Sequence, residues 1–170
     1  VTRTGSAPDL FGAGLLGRHL LLLALGGAVD AAAGDATSGQ RALRTLIVDD
    51  DEPLRTLVKL TVEDDGRFDV VGEARNGKEA IEMAQALRPD VVLLDLKMPV
   101  MDGFQALPRI REAVPSARVV CLSMLQGRET APKVLALGAV AFIDKGLPGP
   151  TFISRLVDVL RRAPGPAPPA

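Results

Sequence analysis

Val91-Val92-Leu93-Leu94-Asp95-Leu96-Lys97-Met98-Pro99, continued by Val100-Met101-Asp102-Gly103, is the stretch that decides how the chain is read. Four apolar residues in a row, two of them β-branched, spell a strand buried on both faces. The run ends in a carboxylate, Asp95, rather than in a neutral turn. The C-terminal end of a buried strand is where open α/β sheets place their ligands. Met98-Pro99 and Asp102-Gly103 then turn the chain and open a helix. Asp95 is therefore expected to be a carboxylate that the protein uses chemically.

Working outward, the same strand-then-helix unit recurs. Thr45 to Val48 is a short β-rich run ending in Asp49-Asp50-Asp51-Glu52, and Pro53 suits the first turn of a following helix. Leu54, Leu57, Val58 and Val62 mark that helix to about Glu63. Phe68 to Ala74 is a second strand, and Ala80, Ile81, Ala84 and Leu87 mark a second helix, stopped by Pro89. Beyond Asp95 a third helix carries Phe104, Leu107 and Ile110, with Pro108 expected to kink or loosen its first turns. Val119 to Leu122 is a fourth strand stopping at Ser123. Glu129 to Leu137 is a poorer helix containing Pro132, with Gly138 as its C-cap. Val140 to Ile143 is a fifth strand ending at Asp144-Lys145. Thr151 to Arg162 closes the pattern as a helix with Phe152, Ile153, Leu156, Val157 and Leu160 on one face. Five strands alternating with five helices call for right-handed crossovers and a parallel sheet covered on both faces.

Three segments follow from this: a Gly/Ala/Leu-rich extension at 1–42, one domain at 43–162, and a Pro-rich tail at 163–170 expected to be disordered. Leu20 to Val29 is apolar without a break, but bilayer spans need about 20 such residues. The expected location is the cytoplasm, with weak membrane association or an anchor left open by that run. His19 reads as polar punctuation. The 170 residues carry a net charge of -1 and only 3% aromatics, so neither a bulk electrostatic grip on nucleic acid nor base stacking is expected. The single cysteine, Cys121, excludes an internal disulfide framework and a thiolate zinc site.

Parallel strands bring their C-terminal ends to one edge. Asp49 and Asp50, Asp95, Ser123 and Lys145 all stand at such ends. Converging carboxylates repel, so one must be protonated or a cation must neutralise them. A sparse oxygen-only site suits Mg²⁺, which keeps several waters and joins a substrate phosphate. A lysine and a hydroxyl opposite it make a place for phosphoryl oxygens, and Asp95 becomes a nucleophile towards phosphorus. Each residue also has a plainer reading: Asp50 as a helix N-cap, Ser123 as a turn residue, Lys145 as a solvated lysine, Phe142 as a core aromatic. Asp51 and Glu52 read as acids serving the helix dipole.

Residues 43 to 162 closely resemble the receiver domain of bacterial two-component response regulators. The resemblance is carried by Leu46-Ile47-Val48-Asp49-Asp50, by Leu93 to Pro99 with Met101-Asp102-Gly103, by Leu122-Ser123, and by Phe142-Ile143-Asp144-Lys145. It implies a flavodoxin-like (βα)5 doubly wound sheet of order 2-1-3-4-5. It also implies that Asp95 accepts a phosphoryl group from a sensor histidine kinase or phosphotransfer protein. Asp49, Asp50, Asp95 and the Lys97 backbone carbonyl would then hold Mg²⁺. Lys145 and Ser123 would meet the phosphoryl group, and Ser123 and Phe142 would form the switch. A downstream protein would bind through helix four, strand five and helix five, and a phosphorylation-dependent dimer fits the same scheme. Such a chain is a signalling phosphoacceptor, not an enzyme with turnover, and binds no nucleic acid itself. The other reading is the receiver part of a DNA-binding regulator whose helix-turn-helix lies outside these residues.

Gly146 departs from the pattern, since many receivers have a cis proline there. The Lys-Gly form is nearer the NarL-type branch and implies a looser loop. Lys97 and Leu125, by their bulk, imply slow hydrolysis of an acyl phosphate. A haloacid-dehalogenase-type phosphatase also uses an Asp nucleophile, but expects Asp where Lys97 stands.

Overall fold

The computed structural model describes residues 41–124 and 127–163. The expectations for the N-terminal extension, His19, Leu125 and the Pro-rich tail fall outside these residues. Five strands, β1 (Leu43–Val48), β2 (Phe68–Ala74), β3 (Val91–Asp95), β4 (Arg118–Ser123) and β5 (Ala141–Asp144), form one sheet in the order β2-β1-β3-β4-β5. Every pairing is parallel. The intervening helices are α1 (Glu52–Asp64), α2 (Gly77–Leu87), α3 (Gly103–Ala113), α4 (Gly127–Ala136) and α5 (Gly149–Arg162). This is the flavodoxin-like arrangement expected from the sequence.

β3 is buried at all five positions because it lies in the middle of the sheet with helices on both faces. Alternate residues of β3 therefore feed two cores. Val92 and Leu94 face one shared with Ala80, Ala84, Ala106, Leu107, Ile110 and Val134 under α2, α3 and α4. Val91 and Leu93 face the other, with Val62, Phe152, Leu156 and Leu160 under α1 and α5. Among the described residues no helix is long and apolar enough to cross a membrane.

Helix α1 begins with Asp51 as N-cap, its side chain accepting from the Leu54 amide, and Pro53 stands in the first turn. Its core face differs from the expected one. Leu57 is 60% exposed, whereas Arg55 and Val62 are buried. The buried stripe runs through 55, 58 and 62, a helical spacing that places Leu57 and Leu60 on the outside. Pro108 is accommodated within α3. The first turn of that helix is closed, with Asp102 accepting from the Gln105 amide and the Ala106 amide reaching the Asp102 carbonyl. What proline forfeits is its own amide bond to the preceding turn, and the structure assigns α3 without interruption through it.

Candidate functional site

The register of the sheet builds the site. Val48 lies opposite Leu94 and Asp95 opposite Leu122, so the residues just past β1, β3 and β4 come out side by side. Carboxylate oxygens of Asp49, Asp50 and Asp95 all lie within 4.8 Å of one another. Asp49 and Asp95 are buried, and Asp50 is exposed. Lys145 reaches in from the end of β5, its Nζ lying 2.6 Å from Asp49 Oδ2 and 3.0 Å from Asp95 Oδ1. Its side chain is only 6% exposed. An ammonium so enclosed needs partners, and the two carboxylates supply them. The plain reading of Lys145 as a solvated lysine is excluded.

Asp49 Oδ1 also accepts from the Asp51 amide at 3.1 Å, and Asp95 Oδ1 from the Leu96 amide at 2.7 Å. Since Lys145 and Leu96 share Oδ1, Oδ2 of Asp95 carries no hydrogen bond among the described residues. Burial holds the Asp95 carboxyl above the ordinary carboxylate value of 3.8, and the neighbouring charge of Asp49 adds to this. Lys145 and the Leu96 amide act in the opposite direction without cancelling it. Three carboxylates face one ammonium, so the cluster is short of positive charge even with the lysine in place.

Ser123 ends β4 at 1% exposure, and its carbonyl accepts from the Lys145 amide at 3.2 Å. Phe142 is half-buried and packs against the core under α2, α3 and α4, beside Cys121 in register. Lys97 lies on the loop after β3 with its side chain exposed. Cys121 is fully buried, and burial, helped by the Asp95 charge, pushes its thiol up to about 12. It is a packing residue.

Close backbone packing sets the loop that carries Asp95. A Cβ at Gly103 would collide with the Asp95 carbonyl oxygen and come within 2.8 Å of Leu96 Cα. The Gly103 amide donates to the Leu96 carbonyl at 3.1 Å, and the Gly77 amide to the Met101 carbonyl at 2.9 Å. The Asp-Gly pair of the opening stretch is therefore a packing requirement as well as a helix start. Val100, at the tip, holds φ of 67°, a conformation costly for a β-branched residue. By contrast, Gly146 follows Lys145 with its amide on Asp144 Oδ1 at 2.8 Å.

This geometry matches a known family. The family model for the response regulator receiver domain matches residues 45–157. The chain belongs to that family. A chemotaxis protein CheY from Listeria monocytogenes is 39% identical over 121 residues, covering 71% of this chain and 98% of that protein. A protein-glutamate methylesterase/protein-glutamine glutaminase from Pyrococcus abyssi is 43% identical over 106 residues, covering 62% of this chain. This receiver chain spans only 29% of that enzyme's length. Among solved structures, the signal receiver domain of the response regulator NarL from Mycobacterium tuberculosis superposes with a TM-score of 0.66 at 31% identity. That match covers 72% of this chain and 98% of the other.

The structure brings together Asp49, Asp50, Asp95 and Lys145, as the sequence led one to expect. It also separates neighbours that the sequence ran together, since the cap of α1 is Asp51 and not Asp50. One residue was missed. Arg55 is 6% exposed and donates through Nη1 to the Asp49 carbonyl at 2.8 Å. The signal was present: a charged residue sits in the 55-58-62 stripe of an otherwise apolar face.

Proposed function

We propose that this receiver takes a phosphoryl group on Asp95 from a phosphohistidine, on a sensor histidine kinase or a phosphotransfer protein. The observation that carries the reading is the lysine-bridged carboxylate cluster, with Asp95 Oδ1 occupied and Oδ2 without a protein partner among the described residues. In the transfer, Oδ2 forms the new P–O bond while the P–N bond breaks, and the imidazole leaves and takes up a proton. Lys145 sits where it can pair with an oxygen of the transferred group. Ser123 is assigned to the same group from the end of β4, and Phe142 to the accompanying movement under α4.

The donor set fits a hard divalent cation. It is all carboxylate oxygen, it includes one exposed member, and it is undercompensated by Lys145 alone. Asp49, Asp50, Asp95 and the Lys97 carbonyl would hold Mg²⁺. When bound, that ion supplies positive charge to the phosphoryl oxygens. The protein's own residues do the remainder: the Leu96 amide orients the Asp95 carboxylate, and Lys145 pairs with Asp49 and Asp95.

Output is assigned to protein contact through the surface of α4, β5 and α5, with the charge added at Asp95 biasing a two-state surface. A phosphorylation-dependent dimer belongs to the same reading. The esterase and glutaminase activities belong to the relatives that carry those names. This region's own chemistry is limited to its phosphorylation and slow hydrolysis, in a cytoplasmic setting.

The test is intact-mass measurement of the full chain after incubation with a small acyl phosphate donor and Mg²⁺. The expected result is one phosphoryl adduct, lost in Asp95→Asn and lost without divalent cation. An adduct that persists in Asp95→Asn would move the acceptor elsewhere, and no adduct under any condition would end the reading.

A further inference from the structure

Asp50 poses a question that the site description leaves open. It is exposed, and among the described residues its carboxylate has no hydrogen-bond partner. Its neighbour Asp49 is tied down at both oxygens, by the Asp51 amide and by Lys145. What keeps an untethered carboxylate within 4.8 Å of the other two must therefore be its backbone.

That backbone leaves the sheet at Asp49. The Asp49 amide makes the last ladder-type bond, to the Ala74 carbonyl at 3.0 Å. Its carbonyl accepts from the Arg55 guanidinium at 2.8 Å. This carbonyl belongs to the same planar peptide unit as the Asp50 amide. Fixing the oxygen thus fixes the direction in which Asp50 departs.

Arg55 is itself held. Its Nε lies 3.2 Å from Glu73 Oε2, and Lys59 Nζ lies 2.8 Å from Glu73 Oε1. Glu73 sits on β2 opposite Ile47, two residues before Asp49. The chain of contacts therefore runs from β2 through Glu73 and Arg55 to the Asp49–Asp50 peptide. A guanidinium suits the task because its donors form a rigid fork, so one side chain can serve a carbonyl and a carboxylate together.

We propose that Arg55 is a positioning residue for the acid cluster, aligning the Asp49–Asp50 peptide so that both carboxylates converge on a divalent cation. This rests on the cation-binding reading above. Arg55 does not touch the cation; it acts through the main chain. A simple electrostatic role makes the opposite prediction. Removing a positive charge from behind three carboxylates would tighten cation binding, whereas removing the alignment would loosen it.

The experiment titrates the full chain with Mn²⁺, followed by electron paramagnetic resonance of the free ion, for wild type, Arg55→Met, Arg55→Lys and Glu73→Gln. Circular dichroism establishes the temperature at which all are folded. Arg55→Met is expected to bind about tenfold more weakly, the range found when groups that orient metal ligands are removed. Arg55→Lys should recover part of the loss, and Glu73→Gln, which leaves the guanidinium in place, should lose several-fold. Unchanged or tighter binding in Arg55→Met overturns the proposal. Where Arg55→Met does not fold, the amide exchange of Glu73→Gln decides, because losing the Glu73 charge would loosen cation binding on electrostatic grounds as well.

A second readout is independent of metal. Amide exchange at Asp51, whose N–H is bonded to Asp49 Oδ1, should quicken in Arg55→Met and Glu73→Gln relative to wild type. Unchanged exchange overturns the proposal. Failure of wild type to bind Mn²⁺, with exchange quickened in the variants, would overturn the cation reading and leave the alignment standing.

Discussion

The loop after β3 and the loop after β5 present opposite charges to one another and are built on opposite principles. The first, from Asp95 to Gly103, is locked. Gly103 lies against the Asp95–Leu96 backbone, Met101 receives the start of α2, and Val100 is forced into a left-handed conformation at the tip. The second, from Lys145 to Pro148, is tied by the Gly146 amide on Asp144, by a weaker Leu147 bond at 3.4 Å, and by the Lys145 amide on Ser123. A Cβ on Gly146 would come no nearer than 3.2 Å to anything, and that is the end of the Asp144 side chain. The lesson is a division of labour: the Asp95 carboxylate is immobilised, and the cation that answers it is carried on the more adaptable segment.

The strongest way to break this comparison is to load each loop with one methyl group. Gly103→Ala must push backbone against backbone and should cost about 3 kcal/mol in denaturant unfolding. Gly146→Ala should cost under about 0.5 kcal/mol, as ordinary surface substitutions do. Equal losses would mean the two loops are equally constrained.

Next in size is the charge on the locked loop. Burial raises the folded-state pKa of Asp95 above the 3.8 of an unperturbed carboxyl. The folded chain therefore binds this proton more readily than the unfolded chain. Stability falls as pH climbs from the unfolded value through the folded one. Asp95→Asn removes that deficit. In chelator at pH 7 its melting temperature should exceed that of wild type, and the advantage should disappear near pH 3. A lower melting temperature at pH 7 would mean that the Lys145 pairing outweighs burial.

Val100→Gly sharpens the comparison from the other direction. Relieving a left-handed β-branched residue should stabilise the fold by about 1 kcal/mol, seen as a higher denaturant midpoint. The smallest effect belongs to the other loop. Asp144→Ala should leave stability within about 0.5 kcal/mol of wild type, since the lost bond is exposed. It should nevertheless slow phosphorylation by the acyl phosphate donor, because Lys145 loses the turn that presents it.

Much of this was legible in the chain. β3 announces itself because a strand covered on both faces has no polar positions, and Asp95 is conspicuous for that reason alone. Lys145, Asp49 and Asp50 followed from strand ends sharing one edge. What was not legible depends on which of several similar groups wins a contact. Three consecutive aspartates can each cap α1, and only the chain direction after β1 selects Asp51. Leu57 and Val58 are both apolar, but the helix phase is set by the burial of Arg55, whose partners come from a different strand. Pro108 looked disruptive because a missing amide is visible in sequence, whereas the closed N-terminal turn that contains the damage is not.

The strand order has a further consequence. β5 is two places away from β3, roughly 10 Å across the sheet, and it is the last of the five described strands to be synthesised. A growing chain that has emerged only through β4 already holds Asp49, Asp50 and Asp95, with the answering ammonium still to come. The edge of the sheet is then self-repelling, and docking β5 relieves it. Bringing the one ammonium to the acid edge and completing the sheet are thus one event, so a chain truncated before residue 145 should carry a misassembled acid edge however well its first four strands have paired.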